Sequence, residues 1–297
     1  MTNQDDRAEF EERLTMLRPA LHRYAARMMG SALDGEDVVQ EAIARAIAGF
    51  GRAAPETSLD GWLFRITHNA AIDQLRARAR HRSERLVEDG DIVSPGDEAA
   101  SRLAARAALS VFMRLPASQR AAVILKDVLG YSNEEAAGIL GSTLAATKAL
   151  LHRGRERLRL FADEPAATPL DAAEMQRLQT YIDRFNARDF DALRAMLADD
   201  VRFELIAKAQ GGRSAFETYF TRYAGRTTWH LALGTIDGRL AAIVTDPAHA
   251  FGASRYVITV DWADGRIVRM RDFYYAAYVT DGAAIRLAPF PPGAIMA

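Results

Sequence analysis

The residues best equipped for chemistry fall into three clusters. In the first, Lys148, Arg153, Arg155 and Arg157 recur between Gly141 and Leu160, a stretch with five basic residues against one acidic. On a helix, Ala145, Lys148, Ala149, His152 and Arg159 share one small, basic face, and Leu144, Thr147, Leu151 and Leu158 share the other. Small residues permit close approach to a nucleic-acid major groove, and cationic side chains neutralise phosphates. In the second cluster Arg65, Asn69, Asp73 and Arg76 share a helical face that Arg78, Arg80, Arg82 and Arg85 extend as a basic end. Such a face suits single-stranded nucleic acid: an arginine pairs with phosphate or stacks on a base, and an amide reads a base edge. The third is a dispersed set of aromatic residues, Tyr181, Phe203, Trp229, Tyr256 and Tyr274, with one carboxylate, Asp272. In an apolar setting that acid could serve as a general base if its pKa were raised. The commoner arrangement is a salt-bridged strand residue, with Arg255, Arg269 and Arg271 at hand.

Several classes of chemistry are excluded by composition. There is no cysteine, which removes disulfide scaffolds, thiolate metal sites and cysteine nucleophiles. His22, His68, His81 and His152 are too widely spaced to suggest a metal site and read as surface or phosphate-adjacent, so neither metal nor cofactor is expected. Lys and Arg number 38 against 39 Asp and Glu, so the chain is no uniformly basic nucleic-acid binder and charge must be read locally. The first twelve residues are polar and acidic, and no stretch approaches the roughly 18 apolar residues that span a bilayer. A cytoplasmic protein with no membrane partner is the expectation.

The elements that position these clusters can be read from period and punctuation. With 297 residues, 49% of them hydrophobic, two or three cores are expected. Helical period runs from Leu14 to Arg85, broken by Gly49 to Asp60. Residues 86–104 form an acidic linker around Pro95-Gly96, 105–161 a second helical unit, and 162–171 a linker with Pro165 and Pro169. In the second helical unit, Ser132 and Glu135 form a capping box, Gly141 ends that helix, and Ser142 or Thr143 caps the next. Beyond Asp171 a helical stripe gives way to strand alternation at Val201, Phe203 and Leu205, and Asp237-Gly238 and Asp264-Gly265 mark hairpins. The expected fold is thus two all-α units, 1–85 and 105–161, followed by an α+β unit, 172–297.

Residues 115–158, from Leu115-Pro116-Ala117-Ser118-Gln119-Arg120 through Gly130-Tyr131-Ser132 to Leu151-His152-Arg153-Gly154-Arg155-Glu156-Arg157-Leu158, resemble region 4 of bacterial extracytoplasmic-function (ECF) sigma factors. That resemblance implies a helix-turn-helix reading the minus-thirty-five promoter element through Thr143, Ala145, Lys148, Ala149, His152 and Arg153. Two departures stand out: Ala149-Leu150 occupies a place where Ser-Arg is common, and Gly154 replaces a better helix former, which implies a looser helix. Asp34-Gly35-Glu36-Asp37-Val38-Val39-Gln40-Glu41 opens a helix and resembles sigma region 2.2. The bland reading of its acids is compensation of the helix dipole, at about 0.3–1 kcal/mol per charge. The resemblance instead makes Asp34, Asp37, Gln40 and Glu41 contacts to the β′ clamp of core RNA polymerase, with region 4 meeting the β flap. Trp62 to Arg76 resembles regions 2.3 and 2.4, which implies that Trp62, Arg65, Asn69, Asp73 and Arg76 capture the melting minus-ten element with the loop before them.

Tyr181 to Leu193 and Val201-Arg202-Phe203-Glu204 resemble the opening of the SnoaL-like, NTF2-like fold, a cone of bent sheet around a pocket. Such folds host enzymes and plain binding modules alike. The resemblance implies Tyr181, Phe203, Trp229, Tyr256, Asp272 and Tyr274 as candidate pocket residues, an aromatic lining with one carboxylate, so a small-molecule ligand belongs among the expected partners. Gly211-Gly212-Arg213 reads as a strand-to-helix turn with glycines at positive φ, and also resembles the Gly-rich, Arg-terminated regulatory motif of ECF sigma factors with SnoaL-like extensions. Together these imply a non-enzymatic alternative sigma factor, acting with core polymerase on promoter DNA and regulated in cis by its C-terminal domain. The competing readings are a SnoaL-like enzyme or ligand sensor with a helical targeting module, and a stand-alone helix-turn-helix regulator.

Overall fold

The structure, a computed structural model, describes residues 3–50, 58–82, 104, 108–161, 170–225, 228–245, 256–289 and 295–296. The loop 51–57, most of both expected linkers, Arg85 and Arg255 lie outside the described residues. The chain divides into two compact units, Met1–Ala166 and Ala167–Ala297.

The first unit is helical. Helices α1 (Asn3–Met29), α2 (Ala32–Gly49) and α3 (Leu59–Arg82) pack on one another. Helix α1 starts well before the expected Leu14, because Phe10 is buried and stacks on Phe50 with ring centroids 4.1 Å apart, anchoring an otherwise polar first segment. A short helix α4 (Leu109–Phe112) leads to α5 (Ala117–Val123), which runs into a π turn at Ile124–Val128. Helices α6 (Asn133–Leu140) and α7 (Leu144–Phe161) follow. The local signals act as expected: Ser132 and Glu135 close the capping box, Gly141 adopts φ 61°, and the Thr143 hydroxyl accepts from Ala146 N at 3.1 Å.

Instead of two separate helical cores, the described helices share one. A single hydrophobic cluster contains Tyr24 and Phe64 of the first segment together with Phe112, Val123 and Ile139 of the second. The buried Arg120 guanidinium ties α5 to the end of α1, donating to the carbonyls of Met28 and, at 2.8 Å, Leu115. Burial pulls its pKa down to about 10, so it stays charged at neutral pH.

Gly154 corrects the expectation of a loose helix. A Cβ there would lie 2.6 Å from Val123 Cγ2 and 3.0 Å from Gln119 O, so the missing side chain is what lets α7 approach α5.

The second unit is a seven-stranded mixed sheet carrying helices. Strands β2 (Leu197–Leu205), β3 (Ala209–Gly211), β4 (His230–Ile236), β5 (Arg239–Thr245), β6 (Tyr256–Ala263), β7 (Arg266–Asp272) and β8 (Ile285–Leu287) are ordered β3-β2-β7-β6-β5-β4-β8, with only the β2–β7 pair parallel. A two-residue β1 (Leu170–Asp171) pairs with β9 (Ile295–Met296). Asp237-Gly238 and Asp264-Gly265 all have positive φ, as two-residue hairpin turns require. Helix α8 (Ala172–Asn186) is capped by Asp171, whose carboxylate accepts from Ala173 N at 2.7 Å and Glu174 N at 3.0 Å, and lies on β4 and β5. Helix α9 (Phe190–Ala195) follows. Helix α10 (Ala215–Ala224) turns Phe216, Tyr219, Phe220 and Tyr223 into the core, at the spacing of an amphipathic helix.

Candidate nucleic-acid interface and C-terminal cavity

On α7, Thr143, Ala145, Lys148 and Ala149 are exposed, His152 and Arg153 are half-buried, and Thr147, Leu151 and Leu158 are buried beneath them. Leu144, expected on the inner face, is exposed at the helix start. Arg155 is no phosphate arm here, because Asp127 of the π turn holds it in a bidentate pair at 2.9 and 2.5 Å. The exposed cationic character of the first turns thus rests mainly on Lys148.

On α3, Asn69, Asp73 and Arg76 are exposed and Arg65 is half-buried. Asp73 is tied across to α2 by Arg45 at 2.9 Å. Trp62 is half-buried against the core, 6.3 Å from Phe10 between centroids, which leaves only part of its ring to a ligand.

The acidic segment of α2 is less exposed than its composition suggests. Asp34 is buried and paired with Arg78 at 3.1 Å, and Glu36 is buried against Arg18, so Asp34 is corrected from a surface contact to an internal ion pair. Asp37 and Gln40 are half-buried, and Glu41 is exposed beside Arg45 at 2.8 Å.

Two histidines also depart from expectation. His22 is buried and bonded to Ala32 O at 2.9 Å, while His68 meets the Tyr24 hydroxyl at 2.7 Å. Burial lowers the His68 pKa to about 4, with Arg76 adding to the effect, so it is neutral at physiological pH.

The second unit holds a cavity of about 440 Å³. Trp229, Asp272 and Tyr274 line it, whereas Tyr181, Phe203 and Tyr256 pack behind its wall. Tyr181 donates to Met270 Sδ at 3.3 Å, and Phe203 packs on Phe216 and Tyr219. The rest of the lining includes Leu205, Tyr275 and three residues of α10, Tyr219, Arg222 and Tyr223. Tyr219 and Tyr223 were legible in principle as the aromatic i, i+4 pair of that helix's inner stripe.

Asp272 is wholly buried, and its bonding partners are hydroxyls and a backbone amide, not the arginines expected. Its Oδ2 accepts from the Tyr219 and Tyr223 hydroxyls, both at 2.8 Å, and its Oδ1 from Tyr274 N at 2.8 Å. Tyr223 and Tyr256 share a further hydroxyl bond of 2.6 Å. Arg269 instead holds Glu204 at 2.7 and 3.0 Å, and Arg271 donates to Thr259 at 3.2 Å. Desolvation raises the Asp272 pKa against the opposing pull of its three donors.

Gly211 ends β3 and neither Gly211 nor Gly212 has positive φ, contrary to expectation; a Cβ on Gly211 would lie 2.7 Å from that of Ala215. Arg213 is turned onto its own domain, donating to Leu197 O and Ala198 O at 3.0 Å. The arginine therefore staples the start of α10 to β2.

Comparison with known proteins puts these surfaces in context. Residues 14–81 match Sigma-70 region 2, residues 105–158 match Sigma-70 region 4, and residues 178–270 match the SnoaL-like domain. The ECF RNA polymerase sigma factor SigM of Mycobacterium tuberculosis is 33% identical over 153 residues, covering 52% of this chain and 76% of that protein. The chain belongs to the ECF RNA polymerase sigma factor family. Another member, SigE of Mycolicibacterium smegmatis, is 37% identical over 144 residues, which cover 47% of this chain and 56% of that relative's length. Among solved structures, the sigma factor RpoE of Bartonella quintana in complex with the anti-sigma factor NepR is 27% identical, with 53% of this chain and 99% of that chain covered and a TM-score of 0.40. The two Sigma-70 matches fall on the helical first unit, and the SnoaL-like match falls on the sheet-containing second unit. No helix among the described residues is long and apolar enough to cross a membrane.

Proposed function

We propose that this chain is an alternative sigma factor that binds core RNA polymerase and directs initiation at a restricted set of promoters. The observation that carries the reading is the pairing of two exposed polar faces in one family-matched order: Asn69, Asp73 and Arg76 on α3, then Ala145, Lys148 and Ala149 on α7 behind a capped turn. In this reading α3, with Trp62 and Arg65, takes the minus-ten element. Helix α7, with Thr143, His152 and Arg153, takes the minus-thirty-five element. Asp37, Gln40 and Glu41 on α2 meet the β′ clamp, and region 4 meets the β flap.

The working domains are 1–85, 105–161 and 172–297, joined by 86–104 and 162–171, and the third regulates the first two in cis. Catalysis by that third domain is disfavoured. The Tyr219 and Tyr223 hydroxyls are committed to Asp272, which leaves neither as an obvious donor for a developing oxyanion. A cytoplasmic site of action follows from the role itself.

The direct test is capture of core polymerase by the full chain and by Glu41→Arg, with circular dichroism as the folding control. Reversal of this exposed charge should weaken capture at least tenfold without changing the spectrum. Undiminished capture by a folded Glu41→Arg chain would remove α2 from the polymerase interface.

A further inference from the structure

We propose that the cavity of the second unit binds a planar aromatic carboxylate, with its ring system against Tyr223, Trp229 and Tyr274 and its carboxylate on Arg222 at the mouth. About 440 Å³ falls within the range of pockets that take small organic molecules. Trp229 and Tyr274 have centroids 5.4 Å apart at 41°, and Tyr223 meets Trp229 at 5.4 Å and 68°. A flat ring entering this wall finds both faces and edges, the two geometries in which aromatic rings attract. Tyr274 and Tyr275 leave 38% and 41% of their surface open beside it, an apolar patch that a ligand would cover.

The distribution of charge selects the ligand's polar end. Asp272 is the acid of the lining, and all three of its bonds turn it toward the protein, while the Tyr219 and Tyr223 hydroxyls are occupied by it. The interior therefore presents ring surface and little that would hold a polar group. At the solvent side Arg222 is exposed, and among the described residues its guanidinium meets no acceptor. Lys208 does not line the cavity but holds a cation against the lining residue Tyr275, its ammonium 4.1 Å from that ring's centroid and 3.0 Å from its hydroxyl. An apolar aromatic bed with a positive mouth fits an aromatic body with one anionic end, and the planar guanidinium fork suits a carboxylate.

The test is calorimetric titration of the full chain with 2-naphthoate, 2-naphthamide and decanoate, and of Arg222→Gln and Trp229→Leu with 2-naphthoate. Saturable binding of 2-naphthoate is expected, at least tenfold tighter than either the amide or the aliphatic acid and weakened at least tenfold by each substitution. Absence of saturable 2-naphthoate binding would overturn the proposal, as would equal binding of the amide, equal binding of decanoate, or undiminished binding by Arg222→Gln. Arg222 is exposed, so its variant keeps the test valid even if Trp229→Leu fails to fold. Neither polymerase nor DNA enters the titration, so its failure would leave the transcriptional reading untouched.

Discussion

The Phe64 ring of α3 and the Tyr131 ring that precedes α6 meet edge to face, with centroids 5.1 Å apart at 71°. This contact lies inside the core that joins the two sigma segments. Elements named minus-ten and minus-thirty-five lie about 25 base pairs apart, or roughly 85 Å along B-form DNA. A compact unit of about 150 residues has a radius of gyration near 15 Å. On the proposed assignment of α3 to the first element and α7 to the second, a closed unit of this size does not span both, and we propose that α1–α3 and α4–α7 separate on the promoter. Because the chain lacks cysteine, dyes can be placed solely at Glu9→Cys and Glu134→Cys, both exposed. Energy transfer between them should be high in the free chain and fall sharply in the promoter complex with polymerase; unchanged transfer would contradict the opening.

Gly154→Ala should destabilise the first unit although alanine is the better helix former. The propensity gain is about 1 kcal/mol. Against it stands overpacking onto Val123 and the Gln119 carbonyl, typically about 1–3 kcal/mol in a close-packed core. Denaturant unfolding should show a net loss of about 1 kcal/mol. A gain would mean that α7 moves away from α5 at little expense.

Acid should weaken the first unit through His68. Its folded pKa is about 4 against an unfolded value of 6.5, so between these values the unfolded chain binds more protons and stability falls as pH drops. The full effect is about 3 kcal/mol, complete near the lower value. His68→Gln should remove most of that slope in unfolding experiments between pH 7 and pH 4. An equal slope in both proteins would assign the acid sensitivity to other groups.

Asp272 should act in the opposite sense on the second unit. Its folded pKa is raised, so the folded state holds its proton more firmly than the unfolded chain does. Stability contributed by that proton is present at low pH and is lost as pH rises from the ordinary carboxylate value toward the raised one. Relative to wild type, Asp272→Asn should lack this decline when thermal unfolding is followed from pH 4 upward. Parallel profiles would show that the tyrosine hydroxyls and Tyr274 N–H offset the burial of the charge.

What the sequence disclosed and what it concealed divide along the distance between interacting residues. The α6-turn-α7 hairpin was legible because its determinants are local: Ser132 with Glu135, Gly141, and Thr143 with Ala146. The two Asp-Gly hairpins were legible for the same reason. Asp34 misled because its burial depends on Arg78, 44 residues away, and Asp272 because its tyrosine partners sit on α10, 49 and 53 residues earlier. Gly154 looked like a weak point because helix propensity is a property of one helix, whereas the contact that needs a glycine involves two. Of the six residues that the SnoaL-like resemblance suggested for a pocket, Trp229, Asp272 and Tyr274 line the cavity and Tyr181, Phe203 and Tyr256 do not, because period alone could not tell lining residues from those packed behind them.

The central claim is that this chain gives core RNA polymerase a promoter preference, and in vitro transcription over a genomic promoter library tests it most directly. Core polymerase with the full chain should initiate from a restricted set of promoters that neither component uses alone. Selective initiation should fall with Lys148→Ala, with the salt dependence of promoter binding shallower by about one unit. No promoter-specific transcript above the core-only background, or tight sequence-specific binding to promoter DNA by the free chain at physiological salt, would contradict the account.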